Sequence, residues 1–183
     1  MGHYLYRLIC IVLIIFSGAS LLPGYVYAQK SDYRQIEWEE LIPSSWNPEK
    51  LFEGIDFDTI SDDDPRAAEI LEKIKAEWKI APANKDIDNQ VITIKGYVAP
   101  LDWEKDDQLK EFLLVPFFGA CIHTPPPPAN QIIYVTPENP VKGIRSMDII
   151  QISGTIRLEA NDSGDMGSSG YLMIPDKIKR MEE

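Results

Sequence analysis

Histidine and cysteine are almost missing from this 183-residue chain, with two of each: His3 and His123, Cys10 and Cys121. One of each pair lies in the first ten residues, so the rest holds a single thiol and a single imidazole. That excludes an intramolecular disulfide beyond the N-terminal segment, and with it any self-sufficient zinc site built from four cysteines or from paired cysteines and histidines. Cationic side chains are also short, 18 Lys+Arg against 29 Asp+Glu, for a net charge of −11 and a pI near 4.6. No basic stripe accompanies the aromatic residues, which excludes nucleic acid as a partner and leaves cations and basic proteins favoured. A Gly-x-Ser-x-Gly elbow, a phosphate-cradling glycine loop and a His-Glu-x-x-His pair are all absent, so the sequence favours a non-enzymatic role.

Long apolar runs are lacking as well. The one unbroken run of note, Leu8–Phe16, has nine residues, against the ~20 that a spanning helix needs. Arg7 precedes it, Pro23 and Gly24 follow, and Val26-Tyr27-Ala28 offers a small-x-small cleavage site. Residues 1–28 therefore read as a signal peptide cut after Ala28, with an uncleaved membrane anchor as the competing reading. Cleavage leaves 17 basic against 29 acidic side chains, a net charge of −12, and no stable membrane span. The expected location is periplasmic or secreted. In such an oxidising compartment a lone Cys121 needs a reason: burial, metal, or another chain.

Residues 29–88 read as an N-terminal strap and helix. Ile36, Trp38, Leu41 and Ile42 suit one face of a short helix ending at Pro43, and residues 46–60 an irregular strap over the core. Ser61-Asp62-Asp63-Asp64 before Pro65 is an N-cap signal rather than a calcium loop, because the Asp-x-Asp-x-Asp-Gly spacing is missing. Ala67, Ile70, Leu71, Ile74 and Trp78 follow at helical spacing, with Glu69 and Lys73 as an i, i+4 pair, and Pro82 marks the stop. From Asn89 the period becomes 2. Ile92, Ile94, Gly96 and Val98 share one strand face, and Ile150, Ile152, Gly154, Ile156 and Leu158 repeat the pattern. Phe112–Val115 and Ile132–Val135 suit strands covered on both faces, and Tyr171–Ile174 a last strand before a charged tail. Leu101–Lys110 is expected as an exposed hairpin connection and Asn161–Gly170 as a mobile loop. The fold class is thus mainly β (α+β), with residues 89–183 forming a small, partly open, OB-like β-barrel after an N-terminal helical segment.

The chemistry-bearing stretch is Glu111–Val135, where two apolar runs flank a loop with Cys121, His123, Pro125–Pro128, Asn130 and Gln131. In extended backbone, residues two apart point the same way, and prolines stiffen what precedes them. Thiolate plus imidazole is a pair that zinc and copper favour. Two ligands do not complete a site, so Glu111, the loop amides, water or a partner must supply the rest. A second reading makes Pro125, Pro126, Pro127, Pro128, Asn130 and Gln131 a metal-free docking surface for an envelope transporter or membrane-protein complex. A third, a thiol-dependent enzyme with a Cys121–His123 pair, lacks a visible orienting carboxylate and oxyanion hole. The bland account keeps Cys121 as a small buried hydrophobe and His123 as a hydrogen-bonded loop residue.

Gly96-Tyr97-Val98-x-Pro100-Leu101, followed by Glu111–Pro116, Phe118–His123, Pro125–Pro128 and Asn130-Gln131, resembles an uncharacterised bacterial family catalogued as domain of unknown function 3299. The likeness is densest over Gly96–Val135 and extends from about Trp38 to Ile156. It implies an exported protein with a small β-rich domain, and an association of some members with zinc-uptake components would favour the metal reading. No catalytic residue carries over from it.

Overall fold

The two Ile-x-Ile-x-Gly strands that stand far apart in the chain are partners. In the computed structural model, which describes residues 33–56, 60–61, 64–120 and 126–181, β2 (Val91–Glu104) and β5 (Ile149–Asp162) run antiparallel. Ile94 faces Ile152, Gly96 faces Ile150, and Ile92 faces Gly154. The repeat thus pairs with itself about its centre, setting branched aliphatics side by side as half-buried strands require. The two glycines mark close approaches. A Cβ at Gly96 would lie 2.8 Å from the Val115 carbonyl and 2.9 Å from the Trp38 ring, and one at Gly154 would lie 2.9 Å from the Ile174 carbonyl. Trp38 is held there by its Nε1–H, which donates to the Lys95 carbonyl at 2.7 Å.

Four further strands complete a mixed sheet: β1 (Arg34–Gln35), β3 (Gln108–Val115), β4 (Ile133–Val135) and β6 (Ser168–Arg180). Their order is β1-β2-β3-β4-β6-β5, and the β2–β5 pairing closes all but β1 into a hydrogen-bonded ring. Two joints are parallel, β1–β2 and β4–β6; the others are antiparallel. The first half of β2 pairs with β5 and the second half with β3, with register shifts around Asp102 that bend the strand. Inside the ring lie Ile92, Ile94, Val98, Phe112, Leu114, Ile133, Ile150, Ile152, Ile156, Tyr171 and Met173, and Ile36, Leu41 and Ile87 from the strap join the same core.

The strap and the ends of the sheet depart from what the sequence suggests. The expected helix near Pro43 is one 3-10 turn, Trp38–Leu41, preceded by the two residues of β1. Residues 46–56 hold a second such turn, Pro48–Phe52, with no buried residue, so this piece does not seal the core. Helix α1 (Pro65–Lys79) forms where the pattern predicts, with Asp64 capping the Arg66 N–H and Pro65 at the first turn. Within the helix, the ion pair among the described residues is Lys75–Glu72 at 2.8 Å rather than Glu69–Lys73. The charged tail is not a tail: Pro175–Arg180 continues β6 and pairs with Ile150–Gly154. Backbone pairing ignores side-chain charge wherever one face of a strand is in water. Asn161–Gly170 is a closed hairpin rather than a long loop, since Asp162 accepts from the Gly164 N–H and Ser168 pairs back to Asp162.

Candidate functional site

Strand β3 alternates between two cores. Phe112 and Leu114 enter the ring, while Leu113 and Val115 face the other way and are equally sealed, at 0% exposure. On that second face Ala99, Leu113, Val115, Ala120 and Ile132 form a small cluster with Tyr97, Leu101, Tyr134, Met147 and Met166 packed around it. Part of the cover comes from the stretch between β3 and β4, which contains the loop singled out from the sequence. Pro116 cannot donate to a ladder, so β3 ends before it. A turn follows in which the Ala120 N–H donates to the Phe117 carbonyl at 3.4 Å and Gly119 takes φ +80°. The Gly119 N–H meets the Met147 Sδ at 3.5 Å.

That turn leaves Phe117 and Phe118 at 53% and 70% exposure, beside residues that are sealed completely. Phe118 meets the Tyr97 ring edge-on at 6.0 Å. Read from sequence, both phenylalanines belong to the apolar run Phe112–Phe118. The signal that separates them is Pro116 before and Gly119 after, which end the strand and turn the chain outward.

The residues expected as ligands and contacts divide into three groups. Cys121, His123 and Pro125 lie outside the described residues. Glu111 is placed on β3, where it accepts from the Tyr134 hydroxyl and has Lys110 Nζ at 3.8 Å. Burial, then the hydrogen bond and charge of Glu111, push the Tyr134 phenol up to about 12. Glu111 is thus engaged within the sheet rather than presented as an open ligand. Among the described residues, no three His, Cys, Asp or Glu side chains gather as a metal cluster.

The proline and amide residues hold the loop to the strap. Asn130, at 0% exposure, donates from Nδ2 to the Pro82 carbonyl at 3.1 Å, and Gln131 donates from Nε2 to the Trp38 carbonyl at 2.8 Å. Asn130 therefore faces inward and is not part of an exposed docking surface. Pro127 is buried, while Pro126 and Pro128 are partly exposed. Sequence alone could not show this, because the acceptors are main-chain carbonyls 48 and 93 residues away. An open cleft of about 610 Å³ elsewhere, between the strap segments, is lined by Arg34, Glu40, Asn84 and Gln90 among others. Those four are already bonded to each other or to backbone.

A mainly β ring whose second face is capped by one aromatic-bearing loop is therefore the kind of unit in hand. The chain belongs to DUF3299, a family of proteins of unknown function, whose pattern matches residues 38–180. A crystal structure of a DUF3299 family protein from Pseudomonas aeruginosa PAO1 is similar, with 29% sequence identity and a TM-score of 0.64 over 82% of this chain and 97% of that one. No curated protein matches.

Proposed function

We propose that the chain is an exported, non-enzymatic binding protein that uses an OB-like scaffold to present the Phe117–Phe118 turn to a protein of the cell envelope. The observation that carries this is the pair of exposed phenylalanines on a loop whose base is sealed against the sheet. Exposed aromatics on an ordered base lose little entropy on contact, which is why such residues dominate interface energies. The OB-like assignment is supported by the strand order of the ring and its one parallel joint, between β4 and β6. The net charge of −11 selects a partner surface with an apolar pocket rimmed by basic side chains. The leader-like N-terminus favours a partner in the envelope.

The test is crosslinking in intact envelopes with wild type and the double variant Phe117→Ser/Phe118→Ser. An envelope membrane protein that crosslinks to wild type, weakens with added salt and disappears in the variant is the expected result. An unchanged crosslinking pattern in the variant would refute it.

Metal handling is the second reading, with Cys121 and His123 as ligands to zinc or copper. What favours it is Met147, a soft thioether in contact with Gly119, two residues before Cys121 in the chain. Thioether plus thiolate selects copper(I) over zinc. Protein purified without an affinity tag and loaded with each metal is analysed by mass spectrometry. Stoichiometric copper, lost in Cys121→Ser and weakened in Met147→Leu, is expected; binding of neither metal removes the reading.

A further inference from the structure

From Phe112 to Pro137 the sequence holds no Asp, Glu, Lys or Arg, although 26% of the chain is charged. The segment that carries the aromatic turn thus brings no formal charge of its own to whatever it meets. Its tip is Pro116, Phe117, Phe118, Gly119 and Ala120, and none of these has a polar side chain. A contact with another protein normally frames its apolar centre with a polar rim. This tip supplies no such frame. Its backbone polarity is reduced as well. Pro116 has no N–H, and the Gly119 and Ala120 N–H groups are already bonded, to Met147 Sδ and to the Phe117 carbonyl. Internal pairing of backbone donors is what hydrocarbon demands of a segment that enters it. Val115 and Ala120, both at 0% exposure, root the turn in the second core, so the two rings project from a fixed base.

We propose that this turn enters the interface of a bilayer of zwitterionic phospholipid and holds the chain reversibly at the membrane surface. The proposal rests on the reading of the turn as the chain's contact surface, and it adds the medium that the rings enter. A membrane protein is then met by a chain already confined to its plane. Phenylalanine is among the side chains that settle at the boundary between headgroups and acyl chains. Charge sets the lipid class. A protein of net charge −11 is repelled by anionic headgroups, so attachment rests on apolar transfer into a surface that is neutral on balance. Size sets the strength. One myristoyl chain gives a binding constant of about 10⁴ M⁻¹. Two phenyl rings that are already partly covered bury less than that, which places the constant at about 10³ M⁻¹.

The experiment titrates the full chain with phosphatidylcholine vesicles and reads the bound fraction by flotation. Half-binding near ~1 mM lipid, unaltered by about 0.5 M NaCl, is the expected result. Phe117→Ser/Phe118→Ser should weaken it by about tenfold or more. Residues 1–28 are the same in both proteins, so a difference in affinity belongs to the turn. Depth is read with Phe118→Trp in vesicles of brominated phosphatidylcholine, where the introduced indole should be quenched while affinity is kept. Four results would each overturn the proposal: no flotation of wild type, equal affinity of the double serine variant, binding lost in salt, or an introduced indole left unquenched. An envelope protein that crosslinks to wild type but not to the double variant, with no flotation of either, would remove this proposal and keep the protein contact. Vesicle binding that depends on both rings, with unchanged crosslinks, would do the reverse.

Discussion

The two faces of β3 reach the same burial by different means. Phe112 and Leu114 are enclosed by other strands, each held by ladders on both sides, whereas Leu113 and Val115 are enclosed by a loop and by Met147 and Met166. Equal exclusion of water gives nearly equal transfer free energy. It does not give equal resistance to change, because a loop and flexible thioethers can settle into a gap that a ladder cannot close. The ring face thus specifies the fold. The capped face specifies a surface, and the exposed Phe118 meets Tyr97 at its edge.

Truncating across the two faces is the strongest test of that difference. Leu114→Ala should cost about 4–5 kcal/mol and Leu113→Ala about 2–3, the two ends of the range for buried leucine, with both side chains at 0% exposure. Urea unfolding midpoints would measure both. Equal or reversed costs would mean that the cap is as rigid as the ring, and the contrast would fail.

Next in size is the close approach between β2 and its neighbours. In Gly96→Ala the new methyl carbon meets a backbone carbonyl at 2.8 Å as well as Leu114 and Trp38. Backbone cannot yield as a side-chain tip does, so a loss of about 1–3 kcal/mol is expected. The native-state fluorescence of Trp38 should change with it, since that ring lies against the site. A neutral substitution would show that the ring is looser here than its contacts indicate.

Tyr171 joins the ring to both strap segments. Its hydroxyl donates to the Leu41 carbonyl and accepts from the Asn84 N–H, each at 2.6 Å. Tyr171→Phe leaves both backbone groups without that partner and should cost about 1–3 kcal/mol. Burial raises the Tyr171 phenol to about 12, so the folded state holds this proton more tightly than the unfolded chain, where the pKa is ~10. Its contribution is complete below pH ~10 and is lost as pH climbs towards 12. Wild type should therefore lose stability across that window more steeply than Tyr171→Phe. The remaining slope in the variant belongs in part to Tyr134, raised to the same region.

These features were not equally legible in the sequence. The two Ile-x-Ile-x-Gly strands, the capped helix and the doubly covered β3 follow from local period and cap chemistry, and all appear where those signals place them; that the two strands pair with each other does not follow from those signals. Two kinds of feature escaped. Pro175–Arg180 became strand because β5 offers a backbone edge, a demand that composition does not register. Asn130 and Gln131, read as surface amides, turned inward to carbonyls of Pro82 and Trp38. Those acceptors belong to the backbone of distant segments, and only tertiary structure brings them within reach. The same limit applied to Glu111, whose Tyr134 partner sits on the adjoining strand.

The smallest expected effect on stability is also the sharpest statement about the cap. Phe117 and Phe118 belong to neither core, and the Tyr97 edge contact is the one ring contact they make among the described residues. Phe117→Ser/Phe118→Ser should shift unfolding by no more than about 0.5 kcal/mol, as exposed substitutions do. Retaining both rings exposed to water then has no folding benefit to account for it, which directs attention to a contact outside the chain. If the double variant instead lost about 2 kcal/mol or more, comparable to a buried leucine, the turn would be part of the cap's own packing. Hydrogen exchange at Ala120 separates the cases. Its amide bonds back to Phe117, and its protection should survive the substitutions if the turn is held from below by Met147 and the second core rather than by its own aromatic tips.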